Sequence, residues 1–428
     1  MEEMYLVKTK QNFEVEVDIP GSKSVANRAL IIAAFADGET ILKNMLFSDD
    51  TKYMMEALRK LGNIVEADEK TKVVRVVGNG NRDFNCNEEI FVGNAGTAMR
   101  FLPSYIATGN GKVVLTGIER MKQRPIRDLA DALKLLGVKI NYKENDGFPP
   151  IEIDADGISE SVVTVKGNMS SQYLTSILLA APYFKNDTTI KIDGNLVSIP
   201  YVNITIQMMK DFGVEVENRD NKEFFIKAGQ KYKSREYIVE GDCSSASYFF
   251  GMAAITNSRV KVNNVKKDAM QGDIKLLEIL EAMGAAVEYG ENHVIVTGNG
   301  KLKGVTVDMH HMSDVAQTLS VVAMFAEGKT EIQNVYNMRI KETDRIKAVY
   351  NELTKLGAKV TELHDGLIIE PAEKYNEGVE IDTYDDHRMA MSFSLAGLIV
   401  PNTYIKDPNC VSKTFPNYFE EFGKIYNK

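Results

Sequence analysis

Lysines and arginines recur where apolar helical runs begin: Lys23 and Arg28 in "PGSKSVANRALII", Arg100 in "GNAGTAMRFL" and Arg388 in "YDDHRMAMSFSLAG". Arg124 in "MKQRPIRD", Lys341 and Arg345 in "IKETDRI" and Lys413 in "VSKTFPNY" stand beside the same kind of position. A helix opening already carries roughly half a positive charge on its unpaired N–H groups, so a cation there costs up to about 1 kcal/mol without a negative partner. Phosphates and carboxylates are the fitting partners, and so many cations predict more than one anionic group. Two acids share these segments, Asp314 in "HMSDVAQTLSVVA" and Glu342 in "KETDR". Anion capture has no use for them, whereas proton transfer does.

Each motif also has a plainer reading. "GSKS" lacks the GxxxxGK[ST] spacing of a P-loop and alone reads as a capping turn with a solvated lysine. "NAGTAMR" reads as a tight turn and helix start, Ser170 and Ser171 as ordinary caps, Gln172 as an exposed helix residue, and "KETDR" as a surface salt-bridge cluster. Their common phase in a repeat raises them together.

That repeat supplies the positioning elements. Amphipathic runs ending in glycine recur at Gly62, Gly137, Gly213, Gly284 and Gly357, with intervals of 75, 76, 71 and 73. Each glycine suits a helix C-cap and is followed by two alternating strands, as in "NIVEA" and "VVRVVG". A second helix per copy starts with small or polar residues and continues apolar. Ser24, Thr97, Ser171, Ser245, Asp314 and His387 mark equivalent points, at intervals of 73, 74, 74, 69 and 73. A sixth copy begins with "YFEEFGKIYNK", where Gly423 and a short strand are expected, and the N-terminal "MYLVKT" and "FEVEVDIP" have the pattern to complete it. Grouping the copies in threes predicts one lobe at 20–240 and a discontinuous lobe of 1–19 with 241–428. Helix openings from two facing lobes would then aim into one cleft.

The 428 residues, 44% hydrophobic and 26% charged, are enough for two or more packed domains. A net charge of -9 disfavours nucleic acid or an anionic membrane as partner. "MEEMYLVKTK" lacks a secretory pattern and the apolar runs are short, so a cytoplasmic protein is expected. Cys86, Cys243 and Cys410 show no CxxC or CxxH pairing and read as buried thiols. His310 and His311 near Asp308 lack a further histidine at ligand spacing, so no metal is expected.

The strings "PGSKSVANRAL", "NAGTAMR", "LTGIERMKQRPI", "SSQYLTSILLAAP", "IPYVNIT", "KETDRI", "YDDHRMAMSFSLAGL" and "VSKTFPNYF" resemble the 5-enolpyruvylshikimate-3-phosphate synthases over nearly the whole chain. The resemblance implies an α/β fold, a two-lobed inside-out α/β barrel with six βαβαββ repeats in pseudo-threefold lobes. It implies transfer of the enolpyruvyl group of phosphoenolpyruvate to the 5-hydroxyl of shikimate 3-phosphate, with phosphate released by addition and elimination and no cofactor. It assigns Lys23, Ser24, Arg28, Ser170, Ser171, Gln172, Ser198, Tyr201, Asp314, Asn337 and Lys341 to shikimate 3-phosphate. Lys23, Asn94, Gly96, Arg124, Gln172, Arg345, His387, Arg388 and Lys413 fall to phosphoenolpyruvate, with glyphosate competing beside Gly96. Asp314 matches the family's base, Glu342 its acid at the methylene carbon, and Lys23 shares in proton transfer. Small-molecule partners alone and a monomer are expected. The sister enzymes acting on a UDP-sugar typically carry a loop cysteine, which "GNGKVVLTGIERMKQRP" lacks. A non-catalytic phosphometabolite-binding module is the remaining alternative.

Overall fold

The computed structural model describes residues 4–80, 82, 84 and 89–427; Cys86 lies outside them. The chain divides into a terminal unit, Met1–Pro20 with Glu240–Lys428, and a mid-chain unit, Gly21–Val239.

One sheet pattern recurs within each unit. In the mid-chain unit Ile90–Phe91 runs parallel to Asn110–Thr116, which pairs antiparallel with Ile151–Asp156, whose other edge takes Lys139–Tyr142. A parallel pair needs a crossover, supplied here by the helix Gly96–Ala107, while Arg127–Leu135 packs outside. The same order joins Val162–Lys166, Thr188–Asp193, Glu223–Ile226 and Glu217–Arg219, with Ser171–Ala180 as the crossover helix. The third sheet places Glu236–Ile238 parallel to Glu39–Lys43, next to the hairpin of Ile64–Asp68 and Val73–Val77.

The terminal unit repeats the pattern with Glu14–Asp18 parallel to Arg259–Asn263 and Thr306–Asp308 parallel to Thr330–Gln333. Its third sheet has Glu380–Ile381 parallel to Thr403–Lys406, with Met4–Val7 antiparallel on the far side. Each passage of the chain between units falls directly after the first strand of a repeat. Thus Glu14–Asp18 stays in the terminal unit, whereas the following helix, Lys23–Phe35, belongs to the mid-chain unit.

The crossover helices are buried cores, because their sequences are apolar all round: every residue of Gly96–Ala107 and Cys243–Thr256 is buried. Hydroxyls join them within each unit. Ser104 and Ser176 lie 2.6 Å apart in one, and Ser247 meets Thr318 at 2.9 Å in the other. The outer helices are amphipathic. All five repeat glycines that end them have positive φ, from 86° at Gly62 to 118° at Gly284.

The sixth copy departs from expectation in two ways. Among the described residues Met4–Val7 alone completes it; Glu14–Asp18 opens a different sheet, where Arg259 meets Glu14 at 2.6 Å and Lys261 meets Glu16 at 3.0 Å. Alternation in "EVEVD" fits either place, and these cross-strand charges belong to the parallel one. Gly423 does not cap: with φ of -64° it ends the helix Tyr418–Gly423, which continues as a tighter turn over Lys424–Tyr426 instead of a strand. Lys424 pairs back to Glu421 at 2.7 Å, and the Tyr426 hydroxyl donates to the Lys8 carbonyl at 2.6 Å, which holds the segment helical.

Gly137 isolates the conformational cost of a cap. Its φ is 88° and the nearest atom to an added Cβ, at 3.9 Å, is Glu160 Cγ. Gly137→Ala therefore lowers stability by about 1–2 kcal/mol, with Gly137→Asn less affected. Urea unfolding midpoints check this; equal stability of all three forms contradicts it.

Candidate functional site

In the mid-chain unit Ser22 caps the first buried helix by accepting from Val25 N at 3.3 Å, and Lys23 follows as its first residue. Lys23 Nζ lies 3.3 Å from Asp50 Oδ2, a buried carboxylate in the first turn of Asp49–Lys60. That ion pair is the resident counter-charge for a cation at a helix opening. Arg28, 2% exposed, donates to Thr205 Oγ1 at 2.8 Å, Ser24 O at 2.8 Å and Tyr201 O at 3.1 Å. Its guanidinium also stands 5.3 Å from the centre of the Phe101 ring. Burial pushes it down to about 10, so it remains a cation at neutral pH. These hydrogen-bond partners are neutral oxygens, and a buried charge so placed gains strongly from an incoming anion.

Neighbouring helix openings carry other expected residues. Ser170 caps Ser171–Ala180 by accepting from Gln172 N at 3.3 Å, and Gln172 Nε2 reaches Thr97 Oγ1 at 3.4 Å, joining two openings. Ser198 holds the left-handed conformation, φ 53°, before the helix Ile199–Asp211 that contains Tyr201. Arg124 Nη1 donates to both the carbonyl and the side-chain oxygen of Asn94, at 3.2 and 3.1 Å. Gly96 gives the guanidinium its room, since an added Cβ would sit 2.6 Å from Arg124 Nη2. The next carbonyl, Pro125 O, accepts from Tyr173 at 2.8 Å and Arg100 at 3.2 Å, which fixes the loop.

The terminal unit gathers its expected residues into one buried charge network. Arg345, 1% exposed, opens the helix Arg345–Lys355 and binds Asp386 at 2.7 and 3.2 Å, Glu342 at 2.8 Å and Asp314 at 3.4 Å. Asp314 also meets Arg388 at 3.0 Å and Lys341 at 3.6 Å, and Lys413 lies 3.9 Å from Glu342. Asn337 donates to Ser313 at 3.0 Å. Asp314 sits in a tight turn, Ser313–Val315, leading into the helix Ala316–Ala323, rather than in the helix itself. "KETDR" is no surface cluster, because Glu342 is 8% exposed. His387 is wholly buried, with Nδ1 3.5 Å from Asp386. Among the described residues no group of three or more His, Cys, Asp and Glu is arranged to hold a metal, and no helix is long and apolar enough to cross a membrane.

Three supporting residues escape a reading based on cations. Asp386 grips Arg345 with both oxygens and caps its own helix by accepting from Arg388 N at 2.9 Å; an acid directly before an apolar helix signals that cap. Asp50 resembles an ordinary acidic first turn. Thr205, one turn beyond Tyr201, gives no sequence signal. Truncating Asp386 to Ala leaves a buried cation short of its closest partner, so unfolding free energy should fall by about 3–5 kcal/mol. A loss below about 1 kcal/mol in denaturant titration would mean that Glu342 and Asp314 suffice.

The family profile described as EPSP synthase (3-phosphoshikimate 1-carboxyvinyltransferase) matches residues 7–422. The 3-phosphoshikimate 1-carboxyvinyltransferase of Sulfurovum sp. (strain NBC37-1) is 49% identical over 98% of both chains. That of Photobacterium profundum is 49% identical over 96% of both. Among solved structures, EPSP synthase from Acinetobacter baumannii superposes with a TM-score of 0.82 at 28% identity, covering 99% of this chain and 98% of its own. The enolpyruvyl transferase NikO from Streptomyces tendae, at 16% identity and a TM-score of 0.77, shares the fold. Its full-length match to this profile and to these relatives makes the chain a member of the EPSP synthase family.

Proposed function

We infer that the chain transfers the enolpyruvyl group of phosphoenolpyruvate to the 5-hydroxyl of shikimate 3-phosphate, with Asp314 and Glu342 moving the protons and the buried cations binding the anions. The observation that carries this reading is the sharing of Arg345 between Glu342 and Asp314, which puts two carboxylates on one buried guanidinium. A binding module would gain nothing from two acids that compete with its ligand for the same cation.

Asp314 takes the hydroxyl proton as the oxygen attacks C2 of phosphoenolpyruvate, while Glu342 delivers a proton to the methylene carbon. The tetrahedral adduct then loses phosphate as Glu342 removes a proton from the new methyl group, restoring the enol ether. In the free protein Asp314 lies against Arg345, Arg388 and Lys341, at 3.4, 3.0 and 3.6 Å. Lys413 Nζ lies 3.9 Å from Glu342, within reach of charge pairing. Shikimate 3-phosphate falls to Ser24, Arg28, Ser170, Ser171, Ser198, Tyr201, Asn337 and Lys341, with Lys23 and Gln172 touching both substrates. Asn94, Gly96, Arg124 and His387 join the arginines and Lys413 on phosphoenolpyruvate. The same reading takes the working form as a cytoplasmic monomer.

Glu342→Gln should keep shikimate 3-phosphate binding by isothermal titration while kcat falls at least about 10²-fold. Near-normal turnover removes Glu342 from the acid role. Gly96→Ala, which displaces the Arg124 guanidinium, should raise the KM for phosphoenolpyruvate at least about fivefold and leave that for shikimate 3-phosphate within about twofold. Equal changes in both constants contradict the assignment of Arg124.

A further inference from the structure

Asp273 is a buried carboxylic acid that the reaction just described does not use. It is 1% exposed, in the turn Gly272–Lys275, and accepts a hydrogen bond from the Ser244 hydroxyl in the first turn of the helix Cys243–Thr256. Two residues earlier Gln271 Oε1 accepts from Cys243 N at 2.9 Å, so two side chains dock this segment onto the helix opening. The turn also packs against Ser313–Val315, which carries Asp314. The charges that act on the Asp273 carboxyl are Asp314 of that turn, Arg388 of the helix His387–Ser394 and Asp242 just before Cys243, whose thiol lies in the same helix opening. A buried carboxyl is a costly way to fill space that an apolar side chain would fill without penalty.

We propose that Asp273 is a positioning residue for the reaction: its charge sets how readily Asp314 takes the hydroxyl proton, and Ser244 holds it in place. The proposal rests on the reading of Asp314 as the base. Burial, and next the charge of Asp314, pushes the Asp273 carboxyl up to about 7, so it is neutral in mild acid and ionised in mild base. Once ionised it disfavours the ionised form of Asp314 and makes that residue the stronger base.

The test is kcat/KM, whose profile reports groups of the free enzyme, from pH 5.5 to 9 for the natural enzyme, Asp273→Asn, Ser244→Ala and Asp314→Asn. Substrate phosphates titrate alike in all four. The natural enzyme should show a rise in kcat/KM centred close to pH 7. Asp273→Asn should lack that rise and run about three- to thirtyfold slower at pH 8, with both KM values within about twofold. Ser244→Ala removes a hydrogen bond that favours the ionised carboxylate, so its rise should move up by about half to one pH unit. A profile of Asp273→Asn that superimposes on the natural one, or an unshifted Ser244→Ala profile, overturns the proposal. A uniform loss at every pH with a lowered Tm makes Asp273 a packing residue and overturns it too. Normal turnover by Asp314→Asn instead removes the base reading, whatever Asp273 does.

Discussion

Burying Arg345 among Asp386, Glu342 and Asp314 is the constraint on which the terminal unit's chemistry depends. A guanidinium cannot lose its charge at any working pH, so once buried it needs carboxylates in fixed places. Those carboxylates are thereby fixed as well. Asp386 answers the charge from one side and caps the next buried helix, so it is tied to the core at both oxygens. In the proposed reaction, stability and proton transfer are thus divided among three acids on one cation.

The mid-chain unit meets the same difficulty differently. Lys23 has Asp50, whereas Arg28 is held by a threonine hydroxyl, two carbonyls and an aromatic face. Hydrogen bonds to neutral oxygens orient the guanidinium without cancelling its charge. The first arrangement stores a cation with an answered charge, and the second keeps one ready for an anion. Arg124 is aimed by Asn94 and given space by the missing side chain of Gly96.

The repeat is legible because two independent signals share one period: left-handed glycines closing outer helices and small polar residues opening buried ones. Alternation alone does not choose a strand's partner, which is why Glu14–Asp18 joins another sheet than the pattern suggests. A glycine after a helical run does not by itself make a cap either, as Gly423 shows. The acids and cations of the candidate site are legible as residue types in the wrong place for a plain helix opening. Their supports are not: Thr205 and Ser244 are ordinary helix residues until folding sets them beside Arg28 and Asp273. Asp273 itself carries no local signal, since its carboxyl is unusual only through burial and through Asp314, a neighbour forty-one residues away in the sequence.

Phosphate release from phosphoenolpyruvate, followed with and without shikimate 3-phosphate, tests the central claim that these charges serve an addition and elimination between two bound anions. The account predicts one phosphate for each enolpyruvyl ether formed and none when shikimate 3-phosphate is left out. Release without the acceptor, or binding of both substrates with no release, would contradict it.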